Sequence, residues 1–355
     1  MKLKVMMSFL VCLLSLPAHA AWSHVNLHPA SATVSAGFGG SGNNQVGGAV
    51  IGGVRRAGMW TSTSGSWNDL HPPTASYSDA YASSGTSQVG YAHFGVTTKA
   101  SLWTGSSGSW VDLHPTGIGS IAYGVSGGSQ VGAVYAFSTV VASRWSGSSG
   151  SWVNLNPSGA SQSVAYGVDG GTQVGYARIG NDRAGLWTGS SGSWVDMHPG
   201  AASDSYALGV HGSTQVGRAY VGGDSHASLW NGSSASWVDL HPSGASQSVA
   251  YGTYGGYQVG SAVIGGAQRA ALWTGSAGSY VDLHSFLPAA FTFSLAQSIS
   301  SDGVNYYITG SGRNSQTFRD EAILWVQPVP EPGTMLALTL GLASLVARRR
   351  RKKSA

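Results

Sequence analysis

Only 9% of the 355 residues are charged, while 10% are aromatic and 53 are glycine. That balance excludes a disordered polyelectrolyte and points to a folded, turn-rich chain. The formal net charge of +4 sits at the two ends: between Ala21 and Pro328 there are 10 basic and 13 acidic residues, a net of −3, so the body offers no basic surface and no nucleic-acid partner is expected.

Residues 1–20 have the layout of a secretory signal peptide. Lys2 and Lys4 precede an apolar run from Met6 to Leu16, and Ala18-His19-Ala20 is a small-x-small cleavage site. Cleavage is expected between Ala20 and Ala21. The one cysteine, Cys12, lies in the apolar run, so the mature body is expected to lack disulfides and thiol nucleophiles.

From Trp22 onward the chain repeats. The unit is clearest at Leu102-Trp103-Thr104-Gly105-Ser106-Ser107-Gly108-Ser109-Trp110-Val111-Asp112-Leu113-His114-Pro115. Two apolar runs around a Gly/Ser/Thr loop read as a hairpin, with Trp103 placed opposite Trp110. The first tryptophan column is Trp60, Trp103, Trp145, Trp187, Trp230, Trp273 and Trp325. The second is Trp22, Trp67, Trp110, Trp152, Trp194 and Trp237, with Tyr280 in the last place; together they hold all 13 tryptophans.

A Leu-His-Pro element recurs at His28, His71, His114, Asn156, His198, His241 and His284, at intervals of 42 or 43 residues. Gln-Val-Gly recurs at Gln45, Gln88, Gln130, Gln173, Gln215 and Gln258. Each period holds four short strand candidates, for example 122–125, 130–134, 141–145 and 152–155. Four strands per period of this length is the signature of a β-propeller blade. Trp22–Leu27 is the second half of a hairpin with no first half; Ile323-Leu324-Trp325 is a first half with no second. The predicted fold is therefore all-β: a seven-bladed β-propeller over residues 21–328, closed by the N-terminal strand, which would hide two edges. A β-solenoid is the alternative. The Ala-Tyr-Gly stretches suit inner strands crowded at an axis. The seventh unit departs from the pattern at Ser285 to Gly312, where Phe286, Phe291, Phe293, Tyr306 and Tyr307 offer either a packing solution or a unique pocket.

The histidines His28, His71, His114, His198, His241 and His284 are the candidate ligand face, since all lie in loops on one side of the ring. They form either a set of imidazoles able to hold a ligand or repeat-structural residues bonding within the fold. Neighbouring copies are too far apart for one metal ion. The aspartate two residues earlier (Asp69, Asp112, Asp196, Asp239, Asp282) invites a Ser-His-Asp reading, but no Gly-x-Ser-x-Gly elbow occurs and no copy is singled out. No catalytic residue, metal ligand or cofactor is assigned, and a non-enzymatic chain is expected. A cationic column, Arg56, Lys99, Arg183, His226 and Arg269, reads as a solvated face or as a surface for sugars or acidic polymer.

Residues 329–355 carry Pro330-Glu331-Pro332, an apolar run from Thr334 to Ala347, and Arg348, Arg349, Arg350 and Arg351 followed by Lys352 and Lys353. As a helix the run spans about 20 Å against a hydrocarbon core of ~30 Å; snorkelling arginines extend its reach, and the basic cluster favours the cytoplasmic side. This order resembles the PEP-CTERM sorting signal. The resemblance implies an exosortase-type membrane protease as partner and cleavage near Pro330–Pro332. It also implies a Gram-negative envelope, transient inner-membrane anchoring through the C-terminal helix, and release or attachment at the cell surface. An ordinary membrane anchor is the plainer alternative.

The repeat also resembles the extracellular HAF repeat family, through Gly127-Gly128-Ser129-Gln130-Val131-Gly132, Arg183-Ala184-Gly185-Leu186-Trp187 and His226-Ala227-Ser228-Leu229-Trp230. That family implies export and little about chemistry. The sequence thus reads as an exported, non-enzymatic surface or extracellular-matrix repeat protein. A polysaccharide-binding propeller module and a propeller lyase or hydrolase are the alternatives.

Overall fold

A left-handed glycine in the first turn of every unit sets the rhythm of the chain. Gly127 (φ 54°) and Gly128 (φ 81°) link Gly119–Ser126 to Ser129–Tyr135, a two-residue turn that needs positive φ at both positions and matches the twist of the flanking strands. The computed structural model describes residues 21–330, and those residues form 28 strands and seven 3-10 turns. Among them no helix is long and apolar enough to cross a membrane. The predicted signal peptide and C-terminal membrane helix lie outside the described residues.

Each unit is an antiparallel four-stranded meander, as in Gly119–Ser126, Ser129–Tyr135, Val140–Trp145 and Val153–Asn154. Five sheets have four strands. A sixth has eight, being two such units joined by the single parallel bridge Gly119↔Thr98. The fourth strand is shorter than the sequence suggests. In the hairpin at residue 103 the ladder is Ser101↔Asp112 and Leu102↔Val111, and Trp110 instead caps the 3-10 turn Ser107–Ser109. The two tryptophan columns still touch, with ring centroids 4.8 Å apart for Trp60 and Trp67 and 4.6 Å for Trp187 and Trp194. Gln130 explains its motif. Its Oε1 accepts from Gly147 N at 2.7 Å and its Nε2 donates to Gly128 O at 2.8 Å, which ties the inner turn to the outer loop.

The core lies between units rather than within them. Val46, Ala57 and Leu70 of one unit pack with Ala80, Ala92 and Trp103 of the next; Val131, Ala142 and Leu155 meet Ala165 and Trp187 in the same way. Every tryptophan of the first column is fully buried. The ends of the chain meet in the same arrangement. Ser23–Asn26 pairs antiparallel with Arg319–Pro328, Ser23 facing Val326 and Asn26 facing Ile323, and Leu27 and Leu324 bury Trp60. The inner strands touch in succession, and Phe291–Ser301 touches Ala32–Ser41 to return to the start. The result is an all-β, propeller-like body.

The third strand of each unit runs parallel to the first. In the last unit Asn305 therefore faces Pro328, next to the turn after Ser301, and Val329 N donates to Val304 O at 2.8 Å. Ser23 lies beside Val326, so the described chain enters and leaves on one side of the ring.

Candidate functional site

Every inner strand carries an extra residue at one shared position, and Ala32–Ser41, Ala245–Tyr254 and Phe291–Ser301 carry a second nearer their start. The register of Gly119–Ser126 against Ser129–Tyr135 slips between Ala122 and Gly124, so Tyr123 is bulged out of the ladder. The same slip places Phe38, Tyr81 and Tyr166 in the first, second and fourth units, and Leu208, Tyr251 and Gln297 in the remaining three. All seven line one axial cavity of ≈ 760 Å³. The bulge depends on the glycine of Gln-Val-Gly. A Cβ on Gly132 would strike the carbonyl oxygen of Ile121, and one on Gly90 that of Asp79.

The aromatic side chains form a continuous wall. Ring centroids are 5.3 Å apart for Phe38 and Tyr81, 5.7 Å for Tyr81 and Tyr123, and 5.3 Å for Tyr123 and Tyr166. Burial, then the Asp79 charge, pushes the Tyr81 hydroxyl up to about 12; burial is also the main cause of the raised values of Tyr123, Tyr166 and Tyr251. These hydroxyls are neutral donors at physiological pH, and Tyr123 shares a 3.2 Å bond with the Tyr135 hydroxyl. Asp169 and His211 stand at the rim. Asp169 Oδ2 accepts from Gly212 N at 2.7 Å and lies 3.5 Å from His211 Nδ1, while Oδ1 has Ser126 Oγ at 3.4 Å. No lysine or arginine lines the cavity.

The histidine column lies at the opposite ends of the inner strands. His71 Nδ1 is 2.8 Å from Ser78 Oγ, and its Nε2 is 3.0 Å from Ala75 O. Ser78 Oγ also accepts from Ala57 N of the preceding unit. Because the Ala75 carbonyl can only accept, Nε2 carries the proton of the neutral ring, and Nδ1 accepts from the Ser78 hydroxyl. His28 and His241 repeat both ring bonds, and His114, His198 and His284 repeat the serine bond. Asn156 reproduces the pattern: it accepts from Ser163 Oγ at 2.6 Å and donates to Ala160 O at 3.1 Å. Asp69 Oδ1 accepts from His71 N rather than from the ring. Its Oδ2 pairs with Arg56 at 2.8 Å, and Lys99–Asp112, Arg183–Asp196, His226–Asp239 and Arg269–Asp282 follow suit. The arginines and the lysine of the cationic column are thus ion-paired, and Ser, His and Asp form no relay aimed at solvent: Ser78 is fully buried. Among the described residues no three metal-ligating side chains converge.

This network gives a pH dependence. Burial holds His71, His114, His198 and His284 below the usual imidazole value. The unfolded chain therefore binds more protons below about pH 6.5, and the stability these groups contribute, present above that pH, is lost as pH falls toward their folded values. The melting temperature is expected to drop between pH 7.5 and 5.5. The substitution His71→Asn, copying Asn156, is expected to keep the fold and shrink that drop; an unchanged drop would show that His71 does not contribute.

Of the other sequence-predicted positions, Ala21 and Pro330 are described, at the ends noted above. Ala20, Glu331, Pro332, Arg348, Arg349, Arg350 and Arg351 lie outside the described residues. Composition alone points the Ala-Tyr-Gly stretch to small-residue packing at the axis; the structure instead makes it a bulge that presents tyrosine.

Residues 328–351 match the PEP-CTERM protein-sorting motif. The match implies processing by an exosortase-type membrane protease and an exported, envelope-associated protein of a Gram-negative bacterium. No curated protein matches the chain. Among solved structures it resembles the acylaminoacyl peptidase of Pyrococcus horikoshii, at 10% identity and a TM-score of 0.53, over 85% of this chain and 53% of that one. A puromycin hydrolase S511A mutant complexed with PGG gives 12% identity and a TM-score of 0.52, over 81% and 53% of the two chains. The β-propeller domain of the Trilobed protease from Pyrococcus furiosus gives 8% identity and a TM-score of 0.50, over 84% and 97%. The chain spans about half the length of the peptidases it matches. These likenesses correct one expectation. A non-enzymatic chain was expected, yet hydrolases and peptidases share its propeller-like fold. At such low identity the likeness shows the fold alone, and no reaction is carried over from those enzymes.

Proposed function

We propose that this chain is an exosortase-sorted protein of the cell surface or extracellular matrix that holds extracellular polysaccharide. In this reading residues 1–20 are the signal peptide and residues 21–328 a seven-bladed propeller closed by the N-terminal strand. Residues 329–355 are the sorting segment, whose helix anchors the chain in the inner membrane until cleavage. The histidine column clamps neighbouring blades rather than serving as a ligand face, since every Nδ1 is spent on a Ser Oγ and the Nε2 of His28, His71 and His241 on a backbone carbonyl. The PEP-CTERM match carries the export and sorting, and the aromatic wall of the axial cavity supports a polysaccharide as what is held. The pairing of Ser23–Asn26 with Arg319–Pro328 and the inter-unit cores support the blade count, and the likeness of the repeats to the HAF family fits export.

Mature protein extracted from the envelope is expected to lack both Met1–Ala20 and the Arg348–Lys353 cluster. Intact mass reads this directly. Finding the C-terminal arginine peptide in most mature molecules would sink the sorting proposal.

A further inference from the structure

We propose that the axial cavity is a saccharide site for an uncharged sugar ring, bound with its C–H face on the tyrosine wall and its hydroxyls toward the rim. The inference rests on the reading of the chain as a polysaccharide-holding protein and adds the place of binding and the charge class of the ligand. The wall of Phe38, Tyr81, Tyr123 and Tyr166 is contiguous. Each residue is presented by a bulge in a buried sheet, so the surface is ordered before any ligand arrives. The electron-rich faces of aromatic rings attract C–H groups, and a pyranose offers such a face with its hydroxyls around the edge.

The charges select the ligand. No lysine or arginine lines the cavity, Arg55 being turned to the Phe38 ring and to Asp79, and the Asp169 carboxylate stands at the rim beside His211, so a uronate, phosphate or sulfate would find no permanent cation to pair with. Asp169 Oδ1 has only Ser126 Oγ at 3.4 Å, which leaves it open to accept from a sugar hydroxyl. The volume of ≈ 760 Å³ falls among small-ligand sites. The rival surface for an acidic polymer, the cationic column, is neutralised by its aspartates.

The test is binding of the purified full chain, in detergent, to an array of neutral and uronate-containing oligosaccharides, compared with Tyr123→Leu and Tyr166→Leu. Leucine is already accommodated at the equivalent Leu208, so both variants should fold. The expected result is binding to neutral members only, weakened about tenfold in either variant and retained in Tyr123→Phe, which keeps the ring. Should a leucine variant melt lower, Asp169→Asn probes the rim without touching the wall and should weaken neutral binding as well. Preference for uronates overturns the charge class. Neutral binding undiminished in Tyr123→Leu, Tyr166→Leu and Asp169→Asn overturns the site while leaving the polysaccharide reading intact. No binding to any member by the wild-type chain overturns both.

Discussion

Replacing Gly132 by alanine is expected to lower the melting temperature by roughly 5–10 °C, from a cost of about 3 kcal/mol or more. The added methyl would overlap the carbonyl oxygen of Ile121, a backbone atom that no rotamer change can move aside. The inner hairpin must then open or lose its bulge, and Tyr123 would turn away from the axis. Gly108→Ala is the control, because nothing lies within 4 Å of its added carbon. Differential scanning calorimetry of the two variants checks the comparison; equal melting would show that the bulge tolerates a side chain opposite it.

Deleting Trp22–Leu27 is expected to cost still more. Leu27 is fully buried and Trp22 is 7% exposed, and each contributes about 2–3 kcal/mol by burial. The deletion also strips Glu321 of the Asn26 amide at 2.7 Å and leaves the edge of Arg319–Pro328 unpaired. A drop of roughly 10 °C or more is expected. If the shortened chain melts with the intact one, the N-terminal strand does not close the body.

The repeat period, the strand count per unit and the complementary ends were legible because each leaves a regular mark: tryptophan columns, turn glycines and half-units at Trp22 and Trp325. The histidine network was half legible. Its spacing marked the residues, but the partner serine lies six to ten residues downstream among many serines, and only folding shows which one is used. The axial wall had a fainter sign. Ala122 and Val125 are both buried on the same side, as are Ala165 and Val168. A strand of period two cannot do this at an odd spacing, so one residue between them has to be extra. That residue is the tyrosine. What the sequence could not supply is direction: a bulge says that a side chain leaves the ladder, and only the ring of neighbouring units makes its destination the axis.

The entry and exit of the chain on one side of the ring have a consequence for whatever is joined to it. Val329 is bonded to the turn at Val304, and Ser301, at the start of that turn, lines the axial cavity. Cleavage at Pro330–Pro332 would leave its new end at the lip of that cavity. A polymer joined there would begin within reach of the tyrosine wall, and a tethered ligand meets its site at a local concentration in the millimolar range, set by a few residues of slack rather than by the bulk. Even a feeble affinity for a sugar ring would then be satisfied most of the time, and neighbouring molecules could be laced together whenever one polymer's far end reached another molecule's axis.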